Sequence, residues 1–201
     1  MKKILIFIFC IATFHSFSQK RTTQFSIAGE GAVMATKQAF SVYNAGFGGS
    51  GKVLFPTGKK NYFTGTLEII AFSGRSGPVK EIFKEVLGNT TIPEPYNTAF
   101  ATTNVAHPPL TLVVPKIGYK YFINNKLNAE VEAGYCFATV KKLFESIPGK
   151  VGGYDFSLGF GFLVTKKIDI GFRYEQFEST ASEKDFTSFV ALRTLINIDF
   201  K

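Results

Sequence analysis

Apolar and polar residues alternate with a period of two in several stretches of the chain, as in β-strands with one apolar and one polar face. The two clearest stretches run over 127–138 and 153–164. Six further stretches show the same alternation and begin near the following residues: Gln24, Tyr43, Phe63, Lys116, Ile168 and Val190. The pattern predicts eight strands of about 10 residues, the length that a tilted strand needs to cross a membrane.

The connections between these predicted strands alternate in length. Three are short and rich in turn-forming residues, at 56–61, 124–125 and 165–167, and the longest of the others covers about 73–108. Short turns on one side and long loops on the other are typical of bacterial outer-membrane barrels. We therefore predict an all-β fold, an eight-stranded antiparallel up-and-down transmembrane β-barrel with both termini in the periplasm.

The longest connection contains a pattern of its own. Five apolar residues have the spacing of one helical face: Val79, Ile82, Phe83, Val86 and Leu87. Pro78 precedes them and Gly88 follows them, as helix boundaries prefer. The spacing predicts a short amphipathic helix in an extracellular loop. This helix is interpreted either as a cap packed on the barrel rim or as a docking element for a protein partner.

The start of the chain has the three parts of a secretory signal peptide. Two lysines precede an apolar run over 4–12, and Ser16 and Ser18 supply the small residues of a cleavage site. The run is too short to cross a bilayer as a helix, although a retained anchor is the alternative. The predicted domains are a signal peptide at 1–18 and an outer-membrane barrel domain at 19–201.

Composition narrows the choice of partners. The formal net charge is +8, but an exported protein rarely meets nucleic acid, so nucleic acid is excluded as a partner. The expected counter-charges are the headgroups of outer-membrane lipids, including lipopolysaccharide, or acidic residues of the same chain. Cys136 is the one cysteine after the signal peptide, so no intramolecular disulfide is expected.

The predicted inward faces carry charges of both signs. These residues form a candidate charge network in the lumen: Glu30, Lys52, Glu68, Lys116, Lys120, Glu130, Glu132, Asp155, Asp169, Arg173, Glu175, Arg193 and Asp199. The interior of an eight-stranded barrel is filled by side chains, and buried charges are costly unless they are paired. We predict a salt-bridged plug that closes the lumen. The alternative is a narrow, low-conductance pore whose gate is one of these pairs.

Two segments carry a resemblance to a known family. The run LVVP at 112–115 and the run GYKYF at 118–122 resemble the small outer-membrane β-barrels of Bacteroidota, which include PorT-like proteins. This resemblance implies a barrel like those of OmpX and OmpA, and a PorT-like role in secretion or gliding as one alternative. The last strand, with Phe200 near its end, resembles the signal that the barrel-assembly machinery recognises, although Lys201 follows the aromatic residue.

Candidate chemistry is sparse. His107 is the one histidine after the signal peptide, and no partner pattern surrounds it, so a lipid-modifying enzyme is a minor alternative. No Cys/His cluster has metal-ligand spacing, and no cofactor is expected. The favoured function is a structural or surface-interaction platform that acts through extracellular loops and is not an enzyme. A soluble lipocalin-like barrel, with its apolar face inward, is a further alternative.

Overall fold

The computed structural model describes residues 22–36, 43–78, 104–106, 109–140, 150–179 and 186–199. These residues form ten strands: β1 (Gln24–Met34), β2 (Tyr43–Pro56), β3 (Asn61–Gly74), β4 (Ser76–Pro78), β5 (Asn104–Ala106), β6 (Leu110–Phe122), β7 (Leu127–Val140), β8 (Lys150–Leu163), β9 (Ile168–Ser179) and β10 (Phe186–Asp199). Eight of them close into a barrel in the order β1-β10-β9-β8-β7-β6-β3-β2, and β4 pairs with β5.

Every pair of neighbouring strands in the barrel is antiparallel, and β1 closes the barrel on β10 from Gln24↔Asp199 to Met34↔Phe189. The fold class predicted from the alternation, an eight-stranded up-and-down barrel, is confirmed. The strands have 11–14 residues, which is longer than the predicted 10. The predicted helix at 79–87 lies outside the described residues. Where the chain is described, no helix is long and apolar enough to span a membrane.

The two ends of the barrel differ. Turns at 57–60, 123–126 and 164–167 join strands at one end, where Gln24 also pairs with Asp199; we call it the turn end, and the opposite end the loop end. Two turns are held by a side-chain oxygen. Asn124 Oδ1 accepts hydrogen bonds from two backbone N–H groups, both at 2.8 Å. The donors are Lys126, directly before β7, and Leu127, the first residue of β7. Thr165 Oγ1 does the same at the start of β9.

A short ribbon extends from the barrel at the loop end. Strands β4 and β5 pair from Ser76↔Ala106 to Pro78↔Asn104, directly after β3 and before β6. The sequence pattern did not predict this ribbon, because three residues are too few to show an alternation. The ribbon brings Pro78 and Asn104 side by side, so the two ends of the 79–103 segment are fixed next to each other.

The outward face of the barrel is apolar. Large apolar side chains point outward on every barrel strand, and examples are Ile27, Phe47, Ile69, Ile117, Val131, Phe156, Phe172 and Leu192. The residues between them on the same strands point inward, and many of these are buried polar residues. This arrangement produces the alternation seen in the sequence. The lipocalin-like alternative, which needs the apolar face inside, is therefore wrong.

Two strands show local irregularities. Tyr43 shares the sequence parity of Phe47 and the other outward residues of β2, but the register between β2 and β3 shifts between Tyr43 and Gly46, and the Tyr43 ring packs inward. A bulge changes which face a residue occupies. Pro115 lies inside β6, where a proline lacks the N–H group that a strand pairing uses. The β6–β7 pairing omits Val114 and Pro115, yet Val113↔Phe137 and Lys116↔Gly134 belong to one unbroken register.

Candidate functional site

The lumen collects most of the predicted site residues. Twelve of the thirteen charged residues predicted to face inward have buried side chains, and the side chain of Asp199 lies outside the described part. Phe200, His107 and the five residues of the predicted loop helix also lie outside it. We call the twelve buried residues the charged layer: Glu30, Lys52, Glu68, Lys116, Lys120, Glu130, Glu132, Asp155, Asp169, Arg173, Glu175 and Arg193.

Arg173, on β9, is the centre of the largest group of ion pairs. Its Nη2 atom bonds to Glu30 Oε2 at 2.7 Å and to Glu68 Oε1. Its Nε atom lies 3.0 Å from Glu175 Oε2, and its Nη1 atom lies 3.9 Å from Glu132 Oε2. One guanidinium therefore joins carboxylates from β1, β3, β7 and β9. The planar, multi-donor geometry of arginine suits this role better than the single ammonium of lysine.

Lys116, on β6, extends this group toward β8. Its Nζ atom pairs with Glu68 and lies 2.6 Å from Glu175 Oε2 and 3.6 Å from Asp155 Oδ2. Glu68 and Glu175 are thus shared between Lys116 and Arg173. Sharing of carboxylates between two cations makes the group a network rather than a set of isolated pairs.

A second group forms around Glu130, on β7. Its two carboxylate oxygens pair with Lys52 and with Arg193. Lys52 Nζ also lies 3.1 Å from Glu132 Oε1, which accepts a 2.5 Å hydrogen bond from Thr66 Oγ1. Since Glu132 also approaches Arg173, this second group is continuous with the first.

A third group lies closer to the turn end. Lys120 Nζ lies 2.7 Å from Asp169 Oδ2, which also accepts a 3.1 Å hydrogen bond from Asn128 Nδ2. The three groups together draw a charged side chain from each of the eight barrel strands. Partners such as Arg173 and Glu30 are 143 positions apart in sequence, so only closure of the whole barrel brings them together.

An apolar layer fills the lumen on the loop-end side of these charges. It consists of buried residues: Ala32, Met34, Ile70, Phe72, Leu110, Leu112, Val114, Cys136, Ala138, Phe177, Phe189 and Ala191. On each strand that contributes to both layers, the apolar residue is nearer the loop end; Ile70 and Phe72 follow Glu68, for example. The rings of Phe72 and Phe189 meet edge to face with centroids 5.4 Å apart.

The apolar layer was missed in the sequence, although a signal for it was present. Ile70 and Phe72 continue the inward parity of Glu68, and Leu112 and Val114 continue that of Lys116. Extending each alternating stretch by two or four residues would have shown that the inward face changes from charged to apolar toward the loop end.

The lumen has more acidic than basic groups. The charged layer contains seven carboxyl groups and five cationic groups. Asp155 is held less closely by cations than the other carboxyl groups: Lys116 Nζ lies 3.6 Å from its Oδ2 atom, and its carboxyl group lies beside that of Glu175. Among the described residues, no cluster of His, Cys, Asp and Glu has the geometry to hold a metal ion. Chemically, the arrangement pairs buried charges and fills space.

Comparisons with solved structures agree with this architecture. The crystal structure of Ail, the attachment invasion locus protein of Yersinia pestis, matches with a TM-score of 0.52 at 12% identity, over 89% of this chain and 99% of that one. The N-terminal β-barrel domain of Pseudomonas aeruginosa OprF matches with a TM-score of 0.50 at 12% identity, over 90% and 100%. Identities this low show the fold alone.

No protein-family model matches the chain, and no curated protein is significantly similar to it in sequence. The conclusion about class therefore rests on architecture. The chain has the fold of small eight-stranded outer-membrane barrels, and its apolar outward face is the surface that such a barrel presents to lipid. Fold and surface together agree with the predicted location in a cell outer membrane.

Proposed function

We propose that the protein is an outer-membrane barrel closed to solutes, which acts as a structural or surface-interaction platform through its loop-end connections. The observation that carries this proposal is the filling of the lumen by two successive layers of side chains. An ion crossing it would have to displace paired charges and then lose its water among apolar residues, both of which are costly. The narrow-pore alternative is therefore less favoured than the platform.

The loop end supports the second half of the proposal. The β4–β5 ribbon holds the ends of the 79–103 segment together above the barrel rim, so the largest insertion in the chain is presented at one defined place. Ail shares the fold and is by its name a protein of attachment and invasion. That likeness is an analogy of fold, and the role of a platform is decided by its loops.

Electrical recording tests whether the barrel is closed. The purified chain, inserted into a planar bilayer, is expected to give no resolvable conductance steps. Arg193→Ala serves as the diagnostic variant, because a pore gated by the Glu130–Arg193 pair would change its step size on loss of that cation. Steps in the natural chain that change in this variant would establish the pore and overturn the closed platform.

A loop replacement tests the platform itself. The 79–103 segment is exchanged for Asn-Gly, a two-residue turn that fits the paired Pro78 and Asn104. The shortened barrel is expected to keep its heat-modifiable migration in gels and its level in the membrane fraction, but to fail to restore a strain that lacks the protein. Full restoration by the shortened chain would argue against the platform.

Further parts of the prediction belong to this proposal. Residues 1–18 act as a signal peptide, and Phe200 contributes to recognition by the barrel-assembly machinery during insertion. Lipopolysaccharide and phospholipids surround the barrel, and a protein partner binds at the longest loop. A Bacteroidota origin and a PorT-like role rest on the sequence resemblance at 112–122, and nothing in the lumen favours that role over the general platform.

A further inference from the structure

The three short turns end in the same way. The residue directly before β3, β7 and β9 is a lysine in each case, namely Lys60, Lys126 and Lys167. Two turns carry a second lysine one position earlier, at Lys59 and Lys166. All five side chains are exposed. The repetition at one structural position distinguishes these residues from lysines scattered over a surface.

The backbone fixes the three terminal lysines equivalently. The carbonyl oxygen of Lys60 accepts a 2.8 Å hydrogen bond from the N–H of Phe122, at the end of β6. In the same way Leu163 donates to the carbonyl of Lys126 at 2.7 Å, and Asn197 donates to that of Lys167 at 2.7 Å. In each case the donor belongs to the next strand around the barrel. The three lysines therefore stand at matching points of the barrel's circumference.

Two side chains show where the ammonium groups lie. Lys126 Nζ lies 5.9 Å from the ring centroid of Phe162, whose side chain is 43% exposed on the outward face. Lys60 Nζ donates a 3.2 Å hydrogen bond to the carbonyl of Ile123, in the adjacent turn. The ammonium of Lys126 therefore sits beside the lipid-facing surface and not over the barrel axis. Long basic side chains commonly reach the headgroup boundary from such positions.

The charge of the three turns has one sign. The turns at 57–60, 123–126 and 164–167 contain five lysines and neither Asp nor Glu. In the lumen, by contrast, every lysine has a carboxylate partner. The turn lysines thus form a cationic collar around the turn end, at the level where headgroups of one membrane leaflet meet the barrel.

We propose that this collar of Lys60, Lys126 and Lys167, assisted by Lys59 and Lys166, binds the headgroups of anionic phospholipids in the leaflet at the turn end. An ammonium group offers three hydrogen-bond donors and a positive charge to a phosphate oxygen. The collar places such a group at three equivalent positions around the barrel. Bound lipids would anchor the barrel's depth and limit its tilt. This inference does not depend on the loop-end platform.

Native mass spectrometry of the full barrel tests the collar. The barrel in nonionic detergent is mixed with equal amounts of phosphatidylglycerol and phosphatidylcholine, and bound molecules of each lipid are counted. The natural chain is expected to prefer phosphatidylglycerol. In the triple variant K60Q/K126Q/K167Q this preference is expected to fall, by about fivefold for each of the substituted lysines. Because the backbone carbonyls remain, the variant is expected to fold, which heat-modifiable gel migration checks.

Matched variants separate a collar from general charge. K60R/K126R/K167R is expected to keep the preference. K141Q/K142Q/K184Q removes the same charge from connections between strands at the loop end and is also expected to keep it. Equal loss in this control, an unchanged preference in K60Q/K126Q/K167Q, or displacement of the lipid by soluble glycerol 3-phosphate at equal concentration would each overturn the proposal.

Discussion

The charged layer and the apolar layer fill the same lumen with opposite chemistry. In the charged layer each cation has defined partners, as Arg173 has in Glu30, Glu68 and Glu175. In the apolar layer Phe72, Phe189 and their neighbours contact each other without directional bonds. Dispersion and hydrophobic contacts tolerate small displacements, whereas a buried ion pair depends on its geometry.

This difference assigns a separate task to each layer. Partners in the charged layer come from all eight strands, so a slip in register at any strand would leave a buried charge without its partner. We infer that the charged layer selects the closed register. The apolar layer has no such selectivity, but it separates the charges from water at the loop end.

The largest expected effect is on the centre of the charged layer. Arg173→Met is expected to lower the free energy of unfolding by about 3–5 kcal/mol, because it leaves several buried carboxylates without their cation. Equilibrium unfolding in urea, with the barrel in lipid vesicles, measures this loss. Arg173→Lys is expected to recover only part of it, since one ammonium cannot replace the separate contacts of Nη2, Nη1 and Nε.

Phe172→Leu is the control for this experiment, because Phe172 is the neighbour of Arg173 on the outward face of β9. Its cost is expected to stay below about 1.5 kcal/mol, because the Phe172 ring is exposed on the outward face and its replacement leaves no internal cavity. A loss of unfolding free energy as large as that of Arg173→Met would show that β9 is sensitive to any change. The proposed difference between the two layers would then be contradicted.

Substitutions in the apolar layer are expected to lower the free energy of unfolding less than loss of Arg173 does. Truncation of a side chain to alanine is expected to cost more than its exchange for another large apolar residue. Phe72→Ala removes a buried ring packed on Phe189 and is expected to cost about 3 kcal/mol, whereas Phe72→Leu fills part of the same space and is expected to cost about half as much. The same urea titration reports both values. If Phe72→Leu were as costly as Phe72→Ala, the apolar layer would be as geometrically specific as the charged layer.

The boundary between the layers is expected to give an intermediate effect. A Cβ added at Gly134 would meet the carbonyl oxygen of Pro115 and lie 2.8 Å from Lys116 Cγ. Gly134→Ala should therefore push β7 away from β6 beside the Lys116 network and cost about 1–3 kcal/mol in urea unfolding. Gly65→Ala is the control, because no atom lies within 4 Å of its added Cβ. Equal stability of the two variants would contradict this account of the boundary.

The outer architecture was predictable because each strand carries its own pattern. The alternation over 153–164 identifies β8 without reference to the rest of the chain, and the turn residues between β6 and β7 identify their connection. Strand pairing then follows from short connections, which favour neighbouring antiparallel strands. The twelve inward charges were predictable for the same reason, since successive residues of a strand point alternately into the lumen and toward the lipid.

The interior arrangement was less predictable because it depends on register between distant strands. Nothing near Arg173 in sequence indicates that it meets Glu30, which lies 143 positions away. Tyr43 has the parity of the outward residues of β2 and yet packs inward, because a bulge reverses that parity. The lysines before β3, β7 and β9 were visible, but their equivalence is evident only from the hydrogen bonds that their carbonyls accept.

The smallest effect is expected at Asp155, where the charged layer carries its excess of acid. Its carboxyl group lies beside that of Glu175, and the cation paired with it, Lys116 Nζ, is as far as 3.6 Å from Oδ2. Asp155→Asn removes one of seven buried carboxyl groups from a lumen with five cations, so the free energy of unfolding is expected to change by less than about 1 kcal/mol, or to rise. Glu68→Gln is the control. Glu68 pairs with both Arg173 and Lys116, so its neutralisation is expected to lower the free energy of unfolding by about 3–5 kcal/mol. Urea titrations in vesicles rank the two. An equally large loss for Asp155→Asn would mean that the network requires every carboxylate and that its excess of acid is not a surplus.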